Sequence, residues 1–122
     1  METGSVKLRT RVKRKSVVEI SFCGISRLNV LNILIIESFI LKIISKPGMR
    51  LKINLSDINF IDCSAIESLN YVSTIANQNS SVIELCQVQQ NLAELIELVK
   101  EHGDFHIKQI DYTYAEKTPG LV

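Results

Sequence analysis

The side chains that sequence places best for chemistry are Asp62, Cys63, Ser64 and Glu67. They stand between an apolar segment ending at Ile61 and a helical pattern that begins at Ala65. A thiol at the start of a helix can serve as a nucleophile or redox sensor. That chemistry needs a base, and none is identifiable nearby in sequence. Asp62 could cap the helix, orient the loop, or act as a general base or metal ligand. No second carboxylate or imidazole adjoins it to share the last two tasks. Ser64 and Glu67 together spell a capping box, in which the serine accepts from the Glu67 N–H and the glutamate reaches back. The same hydroxyl is also a candidate phosphate acceptor.

The remaining metal-capable residues do not assemble into a set. His102 and His106 are four apart with Gly103 between them. Cys23, Cys63 and Cys86 are widely spaced, with no Cys-x-x-Cys. This argues against a structural zinc site, and no cofactor is expected. Three unpaired thiols, with no segment that reads as a signal peptide, predict a reducing cytoplasm. Cys23 and Cys86 fall in predicted strands and are expected to be core residues.

The elements that must hold these residues follow from patterning along 122 residues, a length suited to one domain. Hydrophobic residues at 46% and charged residues at 22% exclude a disordered chain. The absence of Trp and an aromatic share of 6% weaken any reading built on base or sugar stacking. Net charge is +1, yet residues 1–15 carry +5 and the rest −4. Those cations alternate with Leu8, Thr10 and Val12, which reads as an edge strand whose charges resist aggregation rather than as a nucleic-acid or lipid contact.

A second strand at Val17 to Cys23 places Val18, Ile20 and Phe22 on one face, and the two strands can form a hairpin. Gly24 ends it, and Ile25 to Asn29 is expected to be a loop with Asn29 as N-cap of a helix over Val30 to Ile44. The apolar surface of that helix exceeds one stripe. It therefore needs cover from its own sheet, a neighbouring helix, or another molecule, including a second copy. At 15 residues, with Glu37 and Lys42 inside, it is too short and polar to span a bilayer.

Lys46-Pro47-Gly48 is a stop and turn. Leu51, Ile53 and Leu55 alternate as a strand, and Ile58 to Ile61 runs into Asp62. The period then changes, with Ala65, Ile66, Leu69, Val72, Ile75 and Ala76 at helical spacing. Val82 to Cys86 is a strand; Leu92, Leu95, Ile96 and Val99 form a helical stripe closed by Gly103; Phe105 to Ile110 is a last strand. The tail from Asp111 is expected to fray or to be an added segment. The order is ββαβαβαβ, which calls for a mostly parallel or mixed sheet.

The stretch from Asn54 through Ile66, Asn-Leu-Ser-Asp-Ile-Asn-Phe-Ile-Asp-Cys-Ser-Ala-Ile, resembles the STAS domain block D/N-L-S-x-[VIL]-x-F-[IM]-D-S-[ST]-G-[LI] without a gap. The STAS fold occurs in anti-sigma-factor antagonists, sulfate-transporter tails and small subunits of lipid-transport ABC systems. The resemblance extends from about Val17 to Ile110, with Gly24 at the family's strand-closing glycine and Val88 to Val99 at its last helix. It implies an α/β fold with a mixed four- to five-stranded sheet and helices mainly on one face.

It also implies a non-enzymatic, protein-binding regulator. In such a regulator the loop at Ser26, Arg27 and Asn29 and the helix start at Asp62, Cys63, Ser64 and Glu67 would form the docking surface. The partner would be a serine-kinase-type anti-sigma factor or, in the transport branch, an ABC ATPase. The first turn of a helix, with unpaired N–H groups and partial positive charge, suits a phosphate. Phosphorylation there would release the partner. Cys63 occupies the family's phosphoacceptor position, Ser64 is the fallback acceptor, Ala65 replaces a glycine, and Ile25-Ser26-Arg27 stands where antagonist relatives often carry acids.

Overall fold

The computed structural model describes residues 7–101, 107 and 109–111. The hairpin forms as its alternation requires: β1 (Lys7–Arg14) pairs antiparallel with β2 (Val17–Cys23), and Val18, Ile20 and Phe22 turn inward. After Gly24, whose φ of +78° suits a residue without a Cβ, come β3 (Arg27–Leu28), α1 (Ile33–Ile44), β4 (Arg50–Asn54), β5 (Phe60–Ile61), α2 (Cys63–Gln78), β6 (Val82–Cys86), α3 (Gln90–Glu101) and β7 (Gln109–Ile110).

Among the described residues the main sheet has five strands in the order β1-β2-β4-β6-β7, antiparallel at the hairpin and parallel elsewhere. Parallel neighbours need crossover connections; α3 lies between β6 and β7, and the other two crossovers are α1 and α2. These two helices pack side by side over the face that carries Ile20, Phe22, Leu51, Ile53, Ile83 and Leu85. The α1 contribution comes from Ile33, Ile36, Ile40 and Ile44, one turn or two apart. Asn79, just past α2, donates from Nδ2 to the Ile44 and Ser45 carbonyls (2.7 and 2.9 Å) and so closes the end of α1. On the opposite face Arg11, Glu19, Lys52 and Glu84 are successive cross-strand neighbours of alternating sign.

The fold differs from expectation in four places and, at β1, adds a feature on which the sequence carried no expectation. The segment Ile25 to Asn29 contains β3, which is only two residues long and pairs with β5 in a separate ribbon. The first helix begins at Ile33 rather than Val30, because residues 30–32 form a turn; Asn32 holds the N-cap position and Asn29 does not. The apolar side of β1 stays largely uncovered, with Leu8 half-buried and Val12 68% exposed, since the helix layer does not reach the sheet edge. Cys23 is half-buried on the open face instead of in the core, whereas Cys86 is buried. Finally, Asp62 rather than Ser64 is the N-cap of α2. His102, Gly103, Phe105, His106 and the tail beyond Asp111 lie outside the described residues.

Candidate functional site

The ribbon of β3 and β5 is what joins the two segments that sequence singled out. Arg27 sits opposite Phe60 and Leu28 opposite Ile61 in parallel register. The Asn59 N–H donates to the Ser26 carbonyl (2.8 Å) and the Asp62 N–H to the Leu28 carbonyl (3.1 Å). Leu28 and Ile61 are both buried, which pins the ribbon to the core, while Ser26, Arg27 and Phe60 face outward. The Arg27 guanidinium carbon lies 5.4 Å from the Phe60 ring centroid, within cation–π range.

Beyond Leu28 the chain turns sharply, and two asparagines hold the turn. Asn29 Oδ1 accepts from the Leu31 N–H (3.0 Å), and Asn32 Oδ1 accepts from the Asn29 N–H (3.0 Å). Asn32 Nδ2 donates to the Arg27 carbonyl (2.9 Å). Such side chains readily bond nearby backbone in turns, at the expense of helix. The helix start is displaced by three residues as a result.

Asp62 links this turn to α2. Its Oδ1 accepts from the Ala65 N–H (2.9 Å), the usual N-cap bond, and its Oδ2 accepts from the Val30 N–H (3.1 Å). Ser64 is thereby placed inside the first turn, where its hydroxyl is no longer the cap. It lines an open groove between α1 and α2, of about 480 Å³, together with Val30, Leu34, Glu37, Glu67 and Tyr71. In that groove the buried Ser68 hydroxyl donates to Glu37 Oε1 at 2.7 Å.

All seven sequence-selected residues therefore fall on one stretch of surface: Ser26, Arg27, Cys63 and Glu67 exposed, Asn29, Asp62 and Ser64 half-buried. Sequence reasoning passed over their apolar neighbours. Leu31 is 84%, Leu34 68%, Val30 60% and Phe60 44% exposed. The signal was present in the surplus apolar surface of the segment Val30 to Ile44, which called for cover beyond its own sheet.

Among the described residues no group of three His, Cys, Asp or Glu side chains is placed to hold a metal. No described helix is long and apolar enough to cross a membrane. Burial pushes the Cys86 thiol up to about 11. Cys63, in contrast, is open to solvent.

Comparison with solved structures finds the same fold in much larger proteins. The structure of SLC26A9 superimposes with a TM-score of 0.63 at 17% identity, over 78% of this chain and 18% of that one. Murine Slc26a9, an anion transporter solved in the inward-facing state, gives a TM-score of 0.63 at 20% identity, over 88% of this chain and 21% of the transporter. The chain thus spans about a fifth of the length of these proteins. No curated protein sequence matches it. The STAS domain family model matches residues 25–116, from the loop before β3 to beyond β7, and the chain belongs to the STAS domain family.

Proposed function

We propose that this chain is a non-enzymatic protein-docking module of the anti-sigma-factor-antagonist type. Its docking surface is Ser26, Arg27 and Asn29, the α2 start at Asp62, Cys63, Ser64 and Glu67, and the apolar side chains between them. The observation that carries the reading is the exposure of Val30, Leu31, Leu34 and Phe60 next to those polar residues. Apolar groups clustered beside a polar rim are characteristic of protein contact surfaces.

The same geometry gives a switch a physical basis. A phosphate on Ser64 would add nearly two negative charges to a groove already lined by Glu37 and Glu67. Like-charge repulsion would then oppose a partner seated there. With Ser64 unmodified, Cys63 keeps the helix start in the docking-competent state.

Cys63 also favours a second reading. A thiol in place of the family's phosphoacceptor suits a constitutive contact, as in a small STAS subunit that grips the ATPase of a phospholipid-transport ABC system. Affinity co-purification of the native protein with mass spectrometry separates the two. Enrichment of a serine-kinase-type protein, with phosphate on Ser64 after incubation with ATP, supports the first. Enrichment of an ABC ATPase, with neither residue modified, supports the second. Recovery of no specific protein contradicts both.

A further inference from the structure

Strand β1 lies outside the residues that match the family model, so membership assigns it no role. It is an edge strand eight residues long, with no neighbour on its outer side among the described residues. Its two faces carry opposite chemistry. Lys7, Arg9, Arg11 and Lys13 stand on the open side of the sheet, in register with Cys23, Ser21 and Glu19, apart from the irregularity at Lys13. Lys13 reaches Glu19 at 3.0 Å, while Lys7 and Arg9 make no ion pair among the described residues.

On the other side, Leu8 and Thr10 form one wall of a groove of about 570 Å³, whose second wall is Ile35, Ser38, Phe39 and Lys42 of α1. Ile35 is 41% exposed and Val12 68%. The groove runs between β1 and α1 because the helix layer stops short of the edge.

We propose that β1 is a docking edge for an extended segment of a partner protein in which acidic and apolar residues alternate. An added strand continues the two-residue period of the sheet. Its acidic side chains would lie beside Lys7, Arg9 and Arg11, and its apolar ones would fill the groove against Leu8, Ile35 and Phe39. Opposite charges in neighbouring strands attract, and like charges directly opposite repel.

That rule disfavours a second copy, since antiparallel pairing of β1 with itself sets cations against cations. It also bears on polyanions. Glu19 and Glu84 share the open face with the cations, so the positive charge is a single row and not a broad surface suited to a nucleic acid or an anionic bilayer. A nucleic acid would not use the apolar groove, and a bilayer would not continue the hydrogen-bonded ladder at the β1 edge.

The test is binding of the peptide acetyl-Glu-Val-Glu-Ile-Glu-Val-Glu-Ile-Glu-amide to the full chain, followed by calorimetry and amide hydrogen exchange. A block isomer of identical composition, an oligothymidylate and phosphatidylglycerol vesicles are run alongside. The alternating peptide is expected to bind and to slow exchange in residues 7–14, with the block isomer at least several-fold weaker. Arg9→Glu and Ile35→Asp, both at exposed positions and checked by circular dichroism, should each weaken binding by about fivefold to tenfold. Exchange on the wild-type chain needs no variant to fold.

Four results would each overturn the proposal: no peptide binding, equal binding of the block isomer, binding without protection of β1, or self-association through β1 in sedimentation. Tighter binding of the oligonucleotide or vesicles, with the peptide failing to compete, would do so as well.

Discussion

Asp62 and Val30 are 32 residues apart, and the carboxylate of one receives the backbone N–H of the other at 3.1 Å. The second oxygen of the same carboxylate caps α2 through Ala65 at 2.9 Å. One side chain thus fixes the α2 start and the turn that leads into α1, the two parts of the surface proposed to dock. Replacing Asp62 by Ala removes both bonds and is expected to cost about 1–2 kcal/mol in chemical denaturation. Asp62→Asn keeps one acceptor oxygen and should cost about half as much. Equal stability of all three proteins would show that the carboxylate braces nothing.

Ser68 offers a second check on the groove. Its hydroxyl satisfies Glu37 at 2.7 Å between α1 and α2. Ser68→Ala leaves that half-buried carboxylate short of a donor and should destabilise the protein by about 1–2 kcal/mol, measured by denaturant titration. Ser68→Thr, which keeps the hydroxyl, should restore part of the loss if the added methyl fits.

The thiols differ enough in setting to be told apart chemically. Cys63 is exposed and Cys86 buried, so an alkylating reagent under native conditions should label Cys63 well before Cys86. Cys86 should react only once the chain unfolds. Burial raises the Cys86 thiol from its ordinary 9.0 to about 11. Between those values the unfolded thiol has lost its proton and the folded one has not. Stability should therefore fall as pH rises from about 9 to about 11, and more steeply in the wild type than in Cys86→Ala. Identical slopes would remove the contribution.

Glu19 gives the opposite sign. Burial pushes its carboxyl up, but hydrogen bonds from Asn54 (2.8 Å) and Lys13, with the charges of Lys13 and Arg11, more than offset this and leave it below the ordinary 4.5. The stabilisation is present above that value and is lost as pH falls through the lower, folded one. Glu19→Gln should be about 1 kcal/mol less stable than wild type near neutrality. The gap should close in acid, and a gap independent of pH would contradict this.

What was legible in the sequence is what simple periodicity encodes. Val18, Ile20 and Phe22 alternate and are buried; Pro47-Gly48 breaks the chain; the strand at Val82 to Cys86 and the change of period after Asp62 stand where patterning put them. The junction of candidate site residues was legible too, because a polar cluster between a strand and a helix has few other places to go. What was not legible depends on contacts between distant segments. β3 is two residues long and exists only by pairing with β5, which no local pattern announces. The start of α1 is decided by Asn29 and Asn32 bonding a turn, against the strong apolar run that follows Val30. The capping choice lay between Asp62 and Ser64, two positions apart. Both can cap, and Asp62 gains a second bond, to Val30, that Ser64 does not make.

The central claim is that a protein partner sits on the surface around Leu31 and the start of α2. The direct measurement is quantitative co-purification from native cells of the wild-type chain, Leu31→Asp with Leu34→Asp, and the control Lys46→Glu in the turn after α1, all shown to be folded by circular dichroism. The account predicts one specific partner, retained by wild type and control and reduced by about tenfold or more in the double variant, as expected when contact side chains are replaced by charge. A partner held equally by all three proteins, or lost equally from the control, would contradict it.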